Sequence, residues 1–293
     1  MNSDEGQVSG MKIIDSHVHL GRWGKQVAYD RIIEPLRSYE LDSYERVITF
    51  LDKHGIDRIV LVPIYLPNAI ETFAANLRVV ECATLARGKI VPGIWVDPSP
   101  NVTHFLLDAI ELASDKGIRV LKTSPDAWAD QYSPDPSTWD RLFQRNVETI
   151  LEYARNKQAV FQIHTGSGKS NMQAIEKFLK FTGPGVTFHL VHMGSCVSGH
   201  FYLVPRLEEW LSNGLDIVCD TSLARGFAVR WILREAEIKH ELADRILFAS
   251  DEPWGVFESE FNKVWRCVDS QALIASKVLW DNANRIYPVW GSA

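Results

Sequence analysis

Residues 58–97, RIVLVPIYLPNAIETFAANLRVVECATLARGKIVPGIWVD, hold the unit whose repetition decides the fold. A β-branched run at 58–64 reads as a strand, and an amphipathic stretch of helical length follows at 70–88. Gly88 ends that stretch, where a left-handed residue closes a helix cheaply. A second β-branched run then begins at 90.

Outward from this unit the same alternation recurs. Strand candidates fall at 12–18, 58–64, 90–97, 119–123, 159–164, 187–192, 216–221 and 245–251. Helical stretches are expected at 42–55, 70–88, 103–116, 139–157, 170–181, 200–213, 226–243 and 270–286. Asp42-Ser43-Tyr44-Glu45 has the capping-box spacing with Asp42 as cap, and Gly55, Gly117 and Gly214 follow helical stretches as Gly88 does. Eight strand–helix units without an internal linker favour a single α/β domain, a (β/α)8 TIM barrel spanning 11–293, over a doubly wound sheet with an extra lobe. The polar residues 1–10 read as a disordered tail.

Composition narrows the class. The chain of 293 residues carries 31 Lys and Arg against 37 Asp and Glu, and a net charge of -6 gives no electrostatic footprint for nucleic acid. No apolar run spans a bilayer and the start is unlike a signal peptide, so a cytoplasmic protein acting on a small molecule is expected. Cys82, Cys196, Cys219 and Cys267 have no CxxC spacing and read as buried thiols of a reducing compartment rather than a disulfide framework. The oligomeric state stays open, with a homodimer among the alternatives.

Active sites of such barrels lie where strands end in loops. The first strand ends Asp15-Ser16-His17-Val18-His19; side chains alternate along a strand, so both histidines share a face and can grip one ion. The fifth ends at His164, the sixth at His192 and the eighth at Asp251. Neutral imidazoles plus a carboxylate are the donor set of a catalytic zinc-like site. His189 has the wrong parity to share a face with His192 and is expected on the helix-facing side, whereas His54, His104, His200 and His240 read as surface or satisfied core groups.

These strand ends resemble the amidohydrolase superfamily, most closely its amidohydrolase-2 branch of metal-dependent hydrolases and decarboxylases. The carrying residues are Asp15-Ser16-His17-Val18-His19, His164-Thr165-Gly166, His192-Met193-Gly194, Ser250-Asp251-Glu252-Pro253 and the ending Trp280–Tyr287. The resemblance implies His17, His19, His164 and Asp251 as ligands of one divalent metal, zinc first, with manganese or iron as alternatives. It gives His192 a place beside the metal-bound water and Asp251 a proton-carrying role as well. Binuclear relatives carboxylate a lysine after the fourth strand; here Lys122 is either that bridge, with His192 on a second ion, or an ammonium facing a substrate carboxylate. Decarboxylase relatives commonly carry a proline three residues after the second histidine, where this chain has Arg22, so hydrolysis of an amide, ester or lactone ranks first. Decarboxylation or hydration of an unsaturated or aromatic acid is the alternative, and a catalytically inactive barrel the rival outside enzymology.

Arg22, Lys25 and Arg225 follow strands and suit carboxylate recognition, and Trp23, Trp128 and Trp254 are candidate pocket walls. Gly166-Ser167-Gly168-Lys169-Ser170 resembles the end of a P-loop, but the required first glycine is Ile163. No G-x-S-x-G elbow supports a serine hydrolase.

Overall fold

The computed structural model describes residues 11–21, 40–66, 68–268 and 272–291. The expected tail at 1–10 and the loop candidates Arg22, Trp23 and Lys25 lie outside the described residues. The first half of the barrel runs β1 (Ile14–Leu20), α1 (Tyr44–His54), β2 (Arg58–Pro63), α2 (Ala69–Leu85), β3 (Ile90–Pro92), β4 (Ile94–Trp95) and α3 (Thr103–Lys116). Next come β5 (Val120–Thr123), α4 (Arg141–Lys157), β6 (Val160–His164), α5 (Met172–Thr182), β7 (Thr187–Val191), α6 (Val197–Ser212) and β8 (Asp216–Asp220). The chain finishes with α7 (Gly226–Ile238), α8 (His240–Ala243), β9 (Ile246–Leu247), α9 (Phe257–Val268), α10 (Ala272–Ser276) and α11 (Asn282–Ile286).

All strand pairs are parallel and follow chain order, β1-β2-β3 and then β4 through β9. β3 and β4 together fill the third position of a (β/α)8 barrel. They part at Gly93, where a Cβ would lie 2.7 Å from Val62 Cγ1 and 2.9 Å from Val120 Cγ1, so no larger residue fits. The barrel closes as Ser16 N donates to Phe248 O (3.0 Å), Asp251 N to His17 O (3.0 Å) and His19 N to Glu252 O (2.7 Å).

Inside the barrel, Ile14, Val60, Val91, Val120, Val160, Val218 and Leu247 form an apolar floor, closed from below by Ala283 and Tyr287. Outward-facing strand residues such as Ile59, Leu121, Phe161, Phe188 and Ile217 pack against the buried helix faces. Between Asp15↔Ile59 and Val18↔Leu61, β1 spends two residues against one of β2, a β-bulge. That extra residue shifts the parity, so Ile14 and then His17 and His19 all face the axis.

Three expectations need correction. The cap of α1 is Ser43, whose Oγ accepts from Arg46 N, so the box begins one residue later than Asp42 and puts Arg46 where a Glu was expected. The 226–243 stretch is two helices parted at Lys239. α9 was not expected, although Phe257, Phe261, Val264 and Val268 lie at helical spacing and two of them reach full burial.

Candidate metal centre

The strand ends of β1, β5 and β6, with the turns after β7 and β9, meet at one mouth of the barrel. His17 Nε2 and His19 Nε2 each lie 3.2 Å from Asp251 Oδ1, and the three donor atoms sit within 4.8 Å of one another. All three side chains are buried.

The hydrogen-bond network dictates which ring nitrogens carry protons. His19 Nδ1 donates to Pro63 O (3.1 Å), which in the neutral ring leaves Nε2 as the lone pair. Gln162 Nε2 donates to Ser16 O (3.1 Å) and to the Tyr287 hydroxyl (3.0 Å), which turns Gln162 Oε1 towards His17. His17 Nδ1 therefore donates to that oxygen (3.1 Å), and its Nε2 is also a lone pair. His192 follows the same rule: its Nδ1 donates to Ser222 Oγ (2.8 Å), whose hydroxyl donates in turn to Asp220 Oδ1. Three imidazole lone pairs and a carboxylate thus face one point.

With the rings neutral no proton lies between these groups, and His17 Nε2 and Asp251 Oδ1 are buried without a hydrogen-bond partner. Buried acceptors left so are costly, and a divalent cation is the group that resolves them together. Burial, helped by the charge of Lys122, pushes His17 well below the ordinary imidazole range. Burial works against ionisation of Asp251, but His192, His17 and His19 outweigh it and hold the carboxyl well below its usual range. Neutral imidazole and ionised carboxylate are the forms that bind a metal.

Backbone strain marks the same residues. His192 (φ 71) and Asp251 (φ 61) lie in the left-handed region, as do Met193 and Ser195 beside the first. Non-glycine residues rarely persist there unless the surrounding structure holds them, and such residues gather at functional sites.

The remaining expected residues are placed unequally. His164 is at the mouth, its ring 4.8 Å from that of His192 and its Nε2 3.9 Å from Asp126 Oδ2, outside the tight trio. His192 Nε2 is 3.9 Å from Asp251 Oδ2. Lys122 is buried, its Nζ bonds to nothing, and burial pushes its pKa down to about 8. A cavity of about 380 Å³ opens over the donors, walled by Tyr65, Trp95 and Trp254 and bordered by Lys122, Ser124, Asp126, His164 and His192.

Arg225 precedes α7 on an exposed loop and does not line that cavity. Trp128 is a core residue: it is 2 % exposed, packs on Phe143 and donates from Nε1 to Thr123 Oγ1 (2.9 Å). His189 faces the barrel axis, contrary to the parity count, bonding Asp220 Oδ2 (2.7 Å) and the Tyr287 hydroxyl (2.6 Å). β7 ends at Val191 and the chain turns left-handed at His192, so alternation does not carry from one histidine to the other. His200 is a satisfied core group, with Nδ1 on Met193 O (2.7 Å) and Nε2 accepting from Arg225 N (3.2 Å). In the P-loop look-alike, Lys169 N and Ser170 Oγ are taken by Asp126 of the same chain.

Tyr65, Trp95, Gln162, Asp220, Ser222 and Tyr287 were not singled out as site residues. Gln162 sits two residues before His164 on one strand face, a signal that alternation contained. The rest reach the site through contacts distant in sequence.

A parallel barrel with a histidine–carboxylate trio at one mouth defines a class, the metal-dependent barrel enzymes. The chain belongs to the Amidohydrolase family, whose model matches residues 14–289. No curated protein sequence matches it. Among solved structures, the 5-carboxyvanillate decarboxylase of Sphingomonas paucimobilis is 13% identical, with TM-score 0.67 over 96% of this chain and 100% of that one. A dihydroxybenzoic acid decarboxylase from Polaromonas, solved with manganese and 2-nitroresorcinol, is 17% identical, with TM-score 0.64 over 94% and 97%. An amidohydrolase from Burkholderia multivorans, with HEPES bound, is 16% identical, with TM-score 0.63 over 95% and 99%. At such identities the likeness is one of fold. No helix among the described residues is long and apolar enough to cross a membrane.

Proposed function

We propose that this chain is a divalent-metal hydrolase of small carboxylate-bearing amides, esters or lactones. The observation that carries the reading is the convergence of His17 Nε2, His19 Nε2 and Asp251 Oδ1, two of them buried without any partner. Zinc is the first choice for two imidazoles and a carboxylate, with manganese or iron as alternatives, and His164 is the fourth candidate donor. When bound, such an ion lowers the pKa of water to about 7 and polarises a carbonyl.

The protein's own groups do the rest. Asp251 Oδ2 is free to take a proton from the attacking water and pass it to the leaving group. His192, held at Nδ1 by Ser222, presents Nε2 to the same space and fixes the water or the carbonyl oxygen by orientation. Lys122 supplies a buried cation for the substrate's carboxylate. Tyr65, Trp95 and Trp254 wall the cavity and displace solvent around the reacting atoms.

Decarboxylation is the second reading, favoured by this aromatic lining and by the decarboxylases among the structural neighbours. Electrostatics ranks it below hydrolysis. A cation paired with a carboxylate stabilises the charge that departing carbon dioxide must give up, so Lys122 suits a carboxylate that stays rather than one that leaves.

Elemental analysis of the purified chain tests the central claim. About one ion per chain, lost in His17→Ala, is the expected result. About two ions would make Lys122 a carboxylated bridge instead, and no ion after metal addition would overturn the reading. With a substrate assigned by screening amides, esters and lactones beside unsaturated acids, Lys122→Met is expected to raise KM by about tenfold or more while kcat changes little. The estimate follows from the roughly 1.5–3 kcal/mol of a hydrogen bond to a charged group. A kcat that collapses with KM unchanged would remove Lys122 from substrate binding.

A further inference from the structure

Tyr287 follows α11 and plugs the floor of the barrel, 1 % exposed, among the valines that line the interior. Its hydroxyl does not stop in that apolar layer. It reaches up the axis, accepts from Gln162 Nε2 (3.0 Å) and lies 2.6 Å from His189 Nδ1. His189 Nε2 lies 2.7 Å from Asp220 Oδ2, and an ionised carboxylate can only accept, so that nitrogen carries the proton. In the neutral ring His189 Nδ1 is then the lone pair and takes the proton of Tyr287. The hydroxyl is thereby fixed as donor to one side and acceptor on the other.

We propose that Tyr287 is a positioning residue for the metal ligand His17, acting through the amide of Gln162. The amide's two ends are told apart by what surrounds them. With Nε2 engaged by the Tyr287 hydroxyl and Ser16 O, Oε1 is left for His17 Nδ1, and the His17 lone pair faces the metal position. Removing the hydroxyl leaves Ser16 O as the one remaining acceptor for Nε2, which lowers the cost of turning the amide over from two hydrogen bonds to one. The turned amide would present N–H to His17 Nδ1, which moves the imidazole proton to Nε2, where it points at the ion. His192 is held from the other side by Ser222 and Asp220 and does not share this dependence. The inference rests on the reading of His17 as a ligand, and its test separates the two.

The test is Tyr287→Phe in the full chain, labelled with ¹⁵N at histidine and studied metal-free by long-range proton–nitrogen correlation, with manganese and zinc affinities measured in parallel. Wild type is expected to show His17 protonated at Nδ1 alone. The variant is expected to show His17 as a mixture of tautomers and His192 unchanged, with metal affinity reduced about 10–100-fold, the range for loss of a ligand's supporting partner. A lower melting temperature with His17 still a single tautomer and affinity unchanged would overturn the proposal and leave Tyr287 a plug. If neither protein takes up an ion, the metal reading fails and the His17 spectrum alone decides this one. Should Tyr287→Phe not fold, 3-fluorotyrosine placed at 287 keeps the packing and alters only the hydroxyl's acidity. The ring-nitrogen shifts of His17 and His189 then move together if the hydroxyl is wired to them, and stay fixed if it is not.

Discussion

Asp251→Asn is expected to leave the barrel folded and to lower turnover of the assigned substrate by about 10²–10⁴-fold, the range for a lost general acid–base group. The geometry makes the change severe despite identical shape. Oδ1 stands 3.2 Å from two imidazole lone pairs and Oδ2 stands 3.9 Å from a third. An amide in that place carries donors on one side whichever way it turns, so its N–H bonds to an imidazole nitrogen and competes with the ion for it. Metal binding therefore weakens together with proton transfer. Saturating metal, at about a hundred times Kd, is expected to stabilise wild type by about 2.7 kcal/mol. The variant should lose most of that increment, read as a melting temperature that no longer responds to added metal. Full turnover with full metal content in the asparagine protein would remove Asp251 from both roles.

Asp220→Asn is expected to be the most destabilising single exchange of one polar side chain for its isostere. Asp220 is fully buried and is not one of the His17–His19–Asp251 trio. Its Oδ1 accepts from His192 N (3.1 Å), Ser222 N (2.9 Å) and Ser222 Oγ, while Oδ2 accepts from His189 Nε2. Burial by itself would raise this carboxyl, but the His189 bond and the neighbouring histidines hold it well below the usual range. Every partner is a donor, and an asparagine must offer N–H to one set of them. Turned one way it opposes two backbone amides. Turned the other way it forces His189 to move its proton to Nδ1, which deprives the Tyr287 hydroxyl of its acceptor. Breaking a buried charged network of this kind costs about 3 kcal/mol or more, a fall in Tm of roughly 5–10 °C. A thermal melt checks it, and a variant melting within about 2 °C of wild type would mean that the network relaxes around the amide.

The barrel was legible because its signal is local. Each β-branched run and each helical stretch can be recognised from a dozen residues, and Gly55, Gly88, Gly117 and Gly214 all adopt the positive φ that their positions suggested. The eighth strand shows where that signal weakens. Residues 245–251 read as a strand, but only Ile246–Leu247 pairs; Arg245 lies in a turn, Phe248 O and Asp251 N bond to Ser16 and His17 of β1, and Asp251 itself turns left-handed. α9 was missed because its polar residues, such as Glu258, Glu260 and Asn262, interrupt any apolar run and leave only the period to betray it. At the site, His17, His19 and Asp251 could be found from position at strand ends. Their supports could not, since Gln162 meets His17 across 145 residues and Tyr287 meets His189 across 98. Parity counting misplaced His189 for a related reason: it assumes a strand that continues, and the chain leaves the strand before His192 is reached.

The closing of the barrel also sets a schedule. Ser16 bonds to Phe248 across 232 residues, and Gln162 waits for a hydroxyl that arrives with residue 287. As the chain emerges from a ribosome, the two histidines of β1 precede Gln162, Asp251 and Tyr287, so the groups that orient His17 reach it only after those later segments have been made. A chain truncated before residue 245 thus holds His17 and His19 without Asp251 and without the Tyr287 hydroxyl behind Gln162. On the metal reading proposed above, the donor trio forms only when β1 and the turn after β9 have met, so a chain that has not closed its barrel would offer an ion two imidazoles and no more.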